Sequence, residues 1–228
     1  MIVLIHGGSW QARYGRIVMR GLAGDLVRRG WAAWNIEYRR LGNGGGWPRT
    51  FADVAAAVDH VCELPGALDL DRVSVVGHSA GGQLALWAAS RANLAPTAPG
   101  YRAGAQMPAL RVAVAQAGVC DLAWAHARWH GGAAAALMGG APAELPERYA
   151  AADPMQLLPA AGPVLLVHGT DDETVAVEFS RRYRRAAEDA GTPVELVEVA
   201  GGAGRHRAHI DPRGAAWGAV ADRLEQAR

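Results

Sequence analysis

The sequence predicts an α/β architecture, a doubly wound and mostly parallel sheet with helices on both faces. Two observations carry that expectation. Short β-branched runs alternate with longer helix-forming segments along the whole chain, rather than strands collecting in one half and helices in the other. In addition, the stretch Gly77-His78-Ser79-Ala80-Gly81-Gly82 stands between one such run, residues 72–76, and a Pro- and Gly-free run of helix formers, residues 83–91. At 228 residues the chain has the size of one domain. Residues 1–228 are therefore expected to form a single unit, with 119–160 inserted as a small lid.

Each element has its own signal. Residues 2–5 are a short buried strand, followed at once by His6-Gly7-Gly8-Ser9-Trp10. Two glycines directly after a strand indicate close approach of backbone N–H groups to something, or an ordinary turn. Residues 16–29 carry Ile17, Leu22 and Leu26 at helical spacing and stop at Gly30, although Gly21 and Gly24 weaken that helix. Residues 31–38 are a strand, and the glycines of 41–48 mark a loop. Phe51, Val54, Val58 and Val61 give an Ala-rich helix over 51–64 one apolar side, and Pro65-Gly66 ends it. Residues 93–108 form a surface loop and 110–116 the next strand. The Gly/Ala tract and prolines of 119–160 indicate short helices only. Strand 163–168, amphipathic helix 175–190, strand 194–199 and helix 215–226 complete the chain.

Composition excludes several kinds of function. A net charge of +1 gives no reason for nucleic acid or an anionic membrane as a partner. All basic residues are Arg, so a Schiff-base or P-loop lysine is ruled out. Two cysteines, Cys62 and Cys120, match neither a disulfide framework nor a metal site and are expected to be buried free thiols. No apolar run suffices for a signal peptide or a membrane span, and a cytoplasmic location is the expectation. Eight Trp against two Phe points to wet, partly apolar sites that Trp can line.

The Gly-x-Ser-x-Gly run between strand and helix has the context of a nucleophile elbow. Ser79 sits at a strained turn, the flanking glycines remove steric collisions, and the helix N-terminus favours negative charge above it. A serine hydroxyl needs a base, and the base needs an acid to orient it. Two loops at strand ends supply candidates. Gly169-Thr170-Asp171-Asp172-Glu173 clusters carboxylates, and 200–209 holds His206 and His209. The order is serine, acid, histidine. His206 and His209 have no carboxylate or Cys at ligand spacing nearby, so no metal is expected. Residues 42–46 lack Gly-x-Gly-x-x-Gly, so no dinucleotide cofactor is implied either.

These motifs resemble the kynurenine formamidase and esterase/lipase branch of the α/β-hydrolase family. His6-Gly7-Gly8-Ser9-Trp10 looks like its His-Gly-Gly-x-Trp oxyanion motif, and Gly77 to Gly82 like its elbow. His168-Gly169-Thr170-Asp171-Asp172 resembles its acid loop, which selects Asp172. His206, four residues before Ile210-Asp211-Pro212, resembles its closing motif, which selects His206 over His209. Two departures stand out. The family's N-terminal hairpin is missing before the first motif, so six strands rather than eight are expected, with an exposed edge that offers a homodimer contact. Arg207-Ala208 also replaces the aromatic and acid that relatives tend to carry beside the histidine.

The resemblance implies a serine hydrolase of a small to medium carboxylic ester or aryl formamide, working through an acyl-enzyme. Ser79 is the nucleophile, His206 the base and Asp172 its orienter. The N–H groups of Gly8, Ser9 and Ala80 hold the oxyanion, and Trp10 walls the substrate pocket or packs in the core. Trp124, His126, Trp129 and His130 are lid residues that either shape the leaving-group side or form an amphipathic surface. The competing expectations are a serine peptidase of the prolyl oligopeptidase type and a non-catalytic ligand-binding protein on the same fold.

Overall fold

The computed structural model describes residues 1–65, 68–102 and 108–227. Six parallel strands form its sheet: β1 (Ile2–Ile5), β2 (Ala33–Asn35), β3 (Val73–His78), β4 (Leu110–Gln116), β5 (Val164–Gly169) and β6 (Val194–Val199). Their spatial order is β2-β1-β3-β4-β5-β6. The connections therefore run one way from β1 and the other way from β3, and the crevice between the carboxyl ends of these two strands is the switch point of the sheet. Both glycine motifs of the sequence follow these strands.

Every residue of β1, β3 and β5 is buried, as expected of strands covered on two faces. Period-two alternation divides them between two cores. Val3 and Ile5 pack with α2 (Arg49–Asp59), α3 (Ala80–Ala89) and α7 (Glu178–Asp189), while Ile2 and Leu4 pack with α1 (Arg20–Arg28) and α8 (Ala215–Gln226). Phe51, Val54 and Val58 of α2 meet Trp87 of α3 on one face. Leu22 and Leu26 share the other with Trp217, Val220 and Leu224. The segment after β4 forms three short helices, α4 (Leu122–Arg128), α5 (Gly132–Met138) and α6 (Pro146–Ala152). Side-chain bonds from α3 hold α6 in place: Gln83 Nε2 donates to Ala152 O at 2.9 Å and Trp87 Nε1 to Ala151 O at 2.9 Å.

Several element bounds depart from the sequence expectation, each for a local reason. The strand expected over 31–38 pairs only at 33–35, because β2 is an edge whose register with β1 covers Ile2 to Leu4. Beyond it the chain leaves the sheet to cover His6: Tyr38 stacks on the imidazole at 4.4 Å, and its hydroxyl donates to His6 O at 2.7 Å. The helix expected over 16–29 begins as a 3₁₀ turn, Arg16–Met19, and that over 51–64 ends as one, His60–Glu63. The helix expected from 175 starts at Glu178; the residues before it form a turn in which Thr174 and Val175 N–H donate to a carboxylate described below. Cys120 is buried, but Cys62 is only partly so; both are free thiols. Residue 66 of the expected helix stop and 103–107 of the expected surface loop lie outside the described residues.

The elbow shows why glycine is required on either side of Ser79. A Cβ on Gly77 would stand 1.9 Å from Gly81 O, and one on Gly81 would stand 2.1 Å from Ile5 O. The first collision is between β3 and its own helix. The second is with the end of β1, so α3 enters across two strands. We expect Gly81→Ala to lower the urea unfolding midpoint by the equivalent of at least about 2 kcal/mol, because backbone must move to admit the methyl group; a midpoint equal to wild type would show that β1 and α3 are not in contact.

Candidate active site

Ser79 occupies φ 56°, ψ −121° at the N-cap of α3, a conformation that a non-glycine residue adopts only when its surroundings hold it there. Here they do. Ser79 N–H donates to Gln116 O at 2.8 Å, and Ser79 O accepts from Gly82 N–H at 2.9 Å. The hydroxyl points out of the turn, and Ser79 Oγ lies 3.0 Å from His206 Nε2.

His206 stands at the start of a 3₁₀ turn, His206–Ile210, after β6. Its Nδ1–H donates to Asp172 Oδ2 at 2.8 Å, which leaves Nε2 free to accept from Ser79. The other oxygen of Asp172 accepts from Thr174 N–H at 2.8 Å and Val175 N–H at 2.9 Å. Burial works against the charge on Asp172, but the bonds from His206 and from the two amides outweigh it and lower the carboxyl pKa below its ordinary value. Asp171 instead accepts from Gly201 N–H at 2.9 Å on the exposed side of the loop, and Glu173 faces solvent. Of the three clustered acids only Asp172 reaches the histidine.

Close packing of backbone brings these two loops together. A Cβ on Gly169 would stand 1.6 Å from Gly204 O, so the acid loop and the histidine loop touch through glycine. Two strand ends then fix the histidine loop from below. His78 Nε2–H donates to His206 O at 2.9 Å, and Gln116 Nε2 donates to His209 O at 2.8 Å. His78 is thus a structural donor, and His209 is buried behind the site, with its ring 6.3 Å from those of His78 and His168. His168 is spent in the same way, with Nε2–H donating to Val175 O at 2.8 Å and Nδ1 accepting from Ser180 Oγ–H at 2.7 Å.

Facing Ser79 across the switch point, Gly8, Ser9 and Trp10 follow β1 with φ of 114°, 51° and 54°. Three successive positive φ values turn the backbone sharply over the end of the strand. Among the described residues, the N–H groups of Gly8, Ser9 and Ala80 have no acceptor. Trp10 meets both descriptions given by the sequence. It is buried in the core, with Nε1 donating to Gln83 Oε1 at 3.2 Å, and it also walls a cavity at Ser79.

Two cavities flank the serine. One of about 220 Å³ opens toward His206, Tyr14, Val18, Arg207 and Ile210. The other, of about 230 Å³, is walled by Trp10, Val119, Trp129, Ala133 and Val175. Ser9 and Thr174 border both. Of the lid candidates, Trp129 alone lines either cavity. Trp124 packs edge-on against Phe179 at 4.3 Å, with Arg128 and Arg182 beside its ring. Sequence reasoning missed Tyr14, Thr174 and Val119, which lie in no motif and reach the site only through the turns that carry them. Among the described residues, no group of His, Cys, Asp and Glu is placed to hold a metal, and no helix is long and apolar enough to cross a membrane.

A hydroxyl on a strained turn, an imidazole held in one tautomer by a buried carboxylate, and unengaged amides at two strand ends have the chemical capacity for acyl transfer. The family model BD-FAE matches residues 1–186. The chain belongs to the BD-FAE family. This BD-FAE chain is 28% identical over 199 residues to esterase LipQ of Mycobacterium tuberculosis, covering 84% of this chain and 46% of LipQ. It thus spans about half the length of that relative. It superposes on esterase B of Lactobacillus rhamnosis, in a form inhibited by a tributyrin phosphonate, with a TM-score of 0.81 at 20% identity, over 99% of this chain and 74% of the other. It superposes on the propionate-bound esterase Est2 of Thermogutta terrifontis with a TM-score of 0.72 at 26% identity, over 99% and 80% of the two chains. The fold is that of the α/β-hydrolases, as the resemblance implied.

Buried neutral histidines give the BD-FAE chain an acid sensitivity that can be measured. Burial pushes the imidazole pKa of His78 down to about 3, and those of His6 and His209 to about 4. The unfolded chain protonates these rings below about pH 6.5 while the folded chain does not, so stability is full above that pH and is lost as pH falls toward 4. At pH 5 each ring costs roughly 2 kcal/mol. Asp153 opposes this: burial, with Asp121 nearby, pushes its carboxyl up to about 7, so the folded state takes up that proton first and gains on acidification. Three rings outweigh one acid, and we expect the unfolding free energy in urea to fall by about 3 kcal/mol between pH 7.5 and 5.0. A rise over that interval would mean that Asp153 dominates.

Proposed function

We propose that this protein is a serine hydrolase acting on small to medium carboxylic esters through an acyl-enzyme. One observation carries the reading: the unbroken relay from Ser79 Oγ through the His206 ring to Asp172, at 3.0 and 2.8 Å. In this mechanism Ser79 attacks the ester carbonyl carbon as His206 takes its proton. Asp172 holds the imidazole in the required tautomer and stabilises its cation without accepting the proton. The tetrahedral oxyanion is held by the N–H groups of Ala80, Ser9 and Gly8, with the first turn of α3 behind them. His206 then delivers the proton to the leaving oxygen, and a water repeats the sequence to release the acid.

The proton delivery also assigns the two cavities. The leaving oxygen must lie near His206 Nε2, so the cavity that His206 lines takes the alcohol. The cavity walled by Trp10, Val119 and Trp129 lacks that ring and takes the acyl chain. At about 230 Å³ it exceeds an engineered cavity of about 150 Å³ that holds benzene. The acyl groups in the two structural relatives, a tributyrin phosphonate and propionate, are of a size that suits such a space. The aryl formamide substrate is the less favoured of the two classes, because a formyl group would leave this apolar cavity unfilled.

Ser79→Ala and His206→Ala are expected to lower kcat on 4-nitrophenyl butyrate by at least about 10⁴-fold with the fold intact, and Asp172→Asn by a comparable factor. Asp171→Asn should lower it less than tenfold. Wild-type turnover in Ser79→Ala would end the proposal, and greater damage from Asp171 would reassign the acid. Across 4-nitrophenyl esters, kcat/KM should rise about fourfold per methylene while the acyl cavity fills, since burial of each CH₂ contributes about 0.8 kcal/mol. It should peak near four to six carbons and fall beyond them, and Trp129→Ala should move the peak to longer chains. A profile still rising at twelve carbons would place the acyl chain elsewhere.

A further inference from the structure

The walls of the alcohol cavity are uneven in charge. Glycines, Tyr14, Val18 and Ile210 are uncharged, and His206 and Ser79 are committed to each other. Arg207 brings the one permanent charge, and no carboxylate lines the cavity to answer it. Among the described residues, no ion pair or hydrogen bond engages the Arg207 guanidinium. Other arginines of the chain are paired. Arg29, Arg39, Arg91, Arg181, Arg182 and Arg184 each reach an acid side chain. The acids nearest in the fold are otherwise disposed. Asp172 is paired with His206, Asp171 accepts from Gly201 N–H, and Glu173 lines the neighbouring groove that Arg207 also borders, without pairing to it.

Position makes this cation more than a solvated surface arginine. Arg207 follows directly on His206, so its side chain is anchored to the residue that protonates the leaving oxygen. A group held by it is therefore held within reach of the reacting bond. Guanidinium presents a planar fork of donors that suits a carboxylate, and such a charge-assisted pair is stronger than a neutral hydrogen bond. We propose, resting on the ester-hydrolase reading above, that Arg207 selects esters whose alcohol portion carries a carboxylate. The substrate class is then a short apolar acyl group joined to an acidic alcohol, with the apolar end in the cavity at Trp10 and Trp129 and the anionic end at Arg207. Two cavities of nearly equal volume, one lined by a cation and the other by none, meet at one serine and fit such a two-ended molecule.

A matched substrate pair tests this. The butyrate ester of 4-hydroxybenzoate carries the anion on the leaving group, and the butyrate ester of methyl 4-hydroxybenzoate lacks it. Each rate is divided by that ester's own rate of alkaline hydrolysis to remove the difference in leaving-group reactivity. Wild type should favour the anionic ester in kcat/KM by about tenfold at low salt, a partly exposed charge-assisted bond contributing on that order, and the ratio should shrink as salt rises to 0.5 M. Arg207→Gln should bring the ratio near one and Arg207→Glu should invert it, whereas Arg205→Gln, which borders only the outer groove, should keep it. Because both esters use the same serine and histidine, any disturbance of His206 by the substitution cancels in the ratio. A wild-type ratio near one, or a tenfold ratio that survives Arg207→Gln, overturns the assignment while leaving ester hydrolysis standing. Failure of wild type to cleave either ester overturns the hydrolase reading underneath, and this one with it.

Discussion

The constraint on which the rest of the structure depends is the backbone of one residue. Ser79 is held at φ 56°, ψ −121°, and such a conformation costs on the order of 1–3 kcal/mol that neighbours must offset. They do so by contact on every side. Gly77 lets the turn fold back on β3, Gly81 lets α3 pass under the end of β1, and Gln116 O accepts the serine's own N–H. Because α3 leans on β1, the turn that follows β1 is brought opposite the serine. A relaxed Ser79 would open that gap between the serine and the turn after β1.

The second half of the site is positioned from the same strand ends. His78 closes β3 and Gln116 closes β4, and each donates a side-chain bond to a carbonyl of the histidine loop. The imidazole that meets Ser79 Oγ is thereby tied to the strand that leads into Ser79. Burial keeps His78 neutral, so it donates through Nε2–H without placing a positive charge beside the His206 ring, which the proposed mechanism requires to take up a proton. A protonated imidazole at 78 would oppose such a charge at a ring separation of 4.7 Å.

The parts of this arrangement that sequence made legible are those where chemistry demands a residue type at a fixed spacing. The two glycine motifs, the serine and the order serine, acid, histidine belong here, and so do strands β4 and β6 and helix α8, whose bounds agree with the expectation. What was not legible depends on contacts distant in sequence. The strand expected over 31–38 shortens because Glu37 and Tyr38 are drawn away to His6. Helix α7 starts three residues later than its pattern indicates, after a turn whose Thr174 and Val175 amides donate to Asp172. The choice between Asp171 and Asp172 needed the family resemblance, since neighbouring carboxylates differ only in which side of a turn they face. Tyr14, Thr174 and Val119 carry no periodicity or motif of their own, and the fold alone makes them neighbours of Ser79.

The division of the site into two unlike cavities follows from the same topology. The turn after β1 lies between them, so Ser9 borders both while Trp10 turns inward, where Gln83 fixes its ring. On the inward side the wall is completed by the segment after β4 and by Trp129, which are apolar because they also cover the core. On the outward side the wall is completed by the histidine loop, which cannot be apolar throughout because it carries the base and meets solvent. On the proposed assignment of the cavities, acyl selectivity is tied to residues that also stabilise the fold, whereas alcohol selectivity rests on an exposed loop where Arg207 can change at little cost to packing.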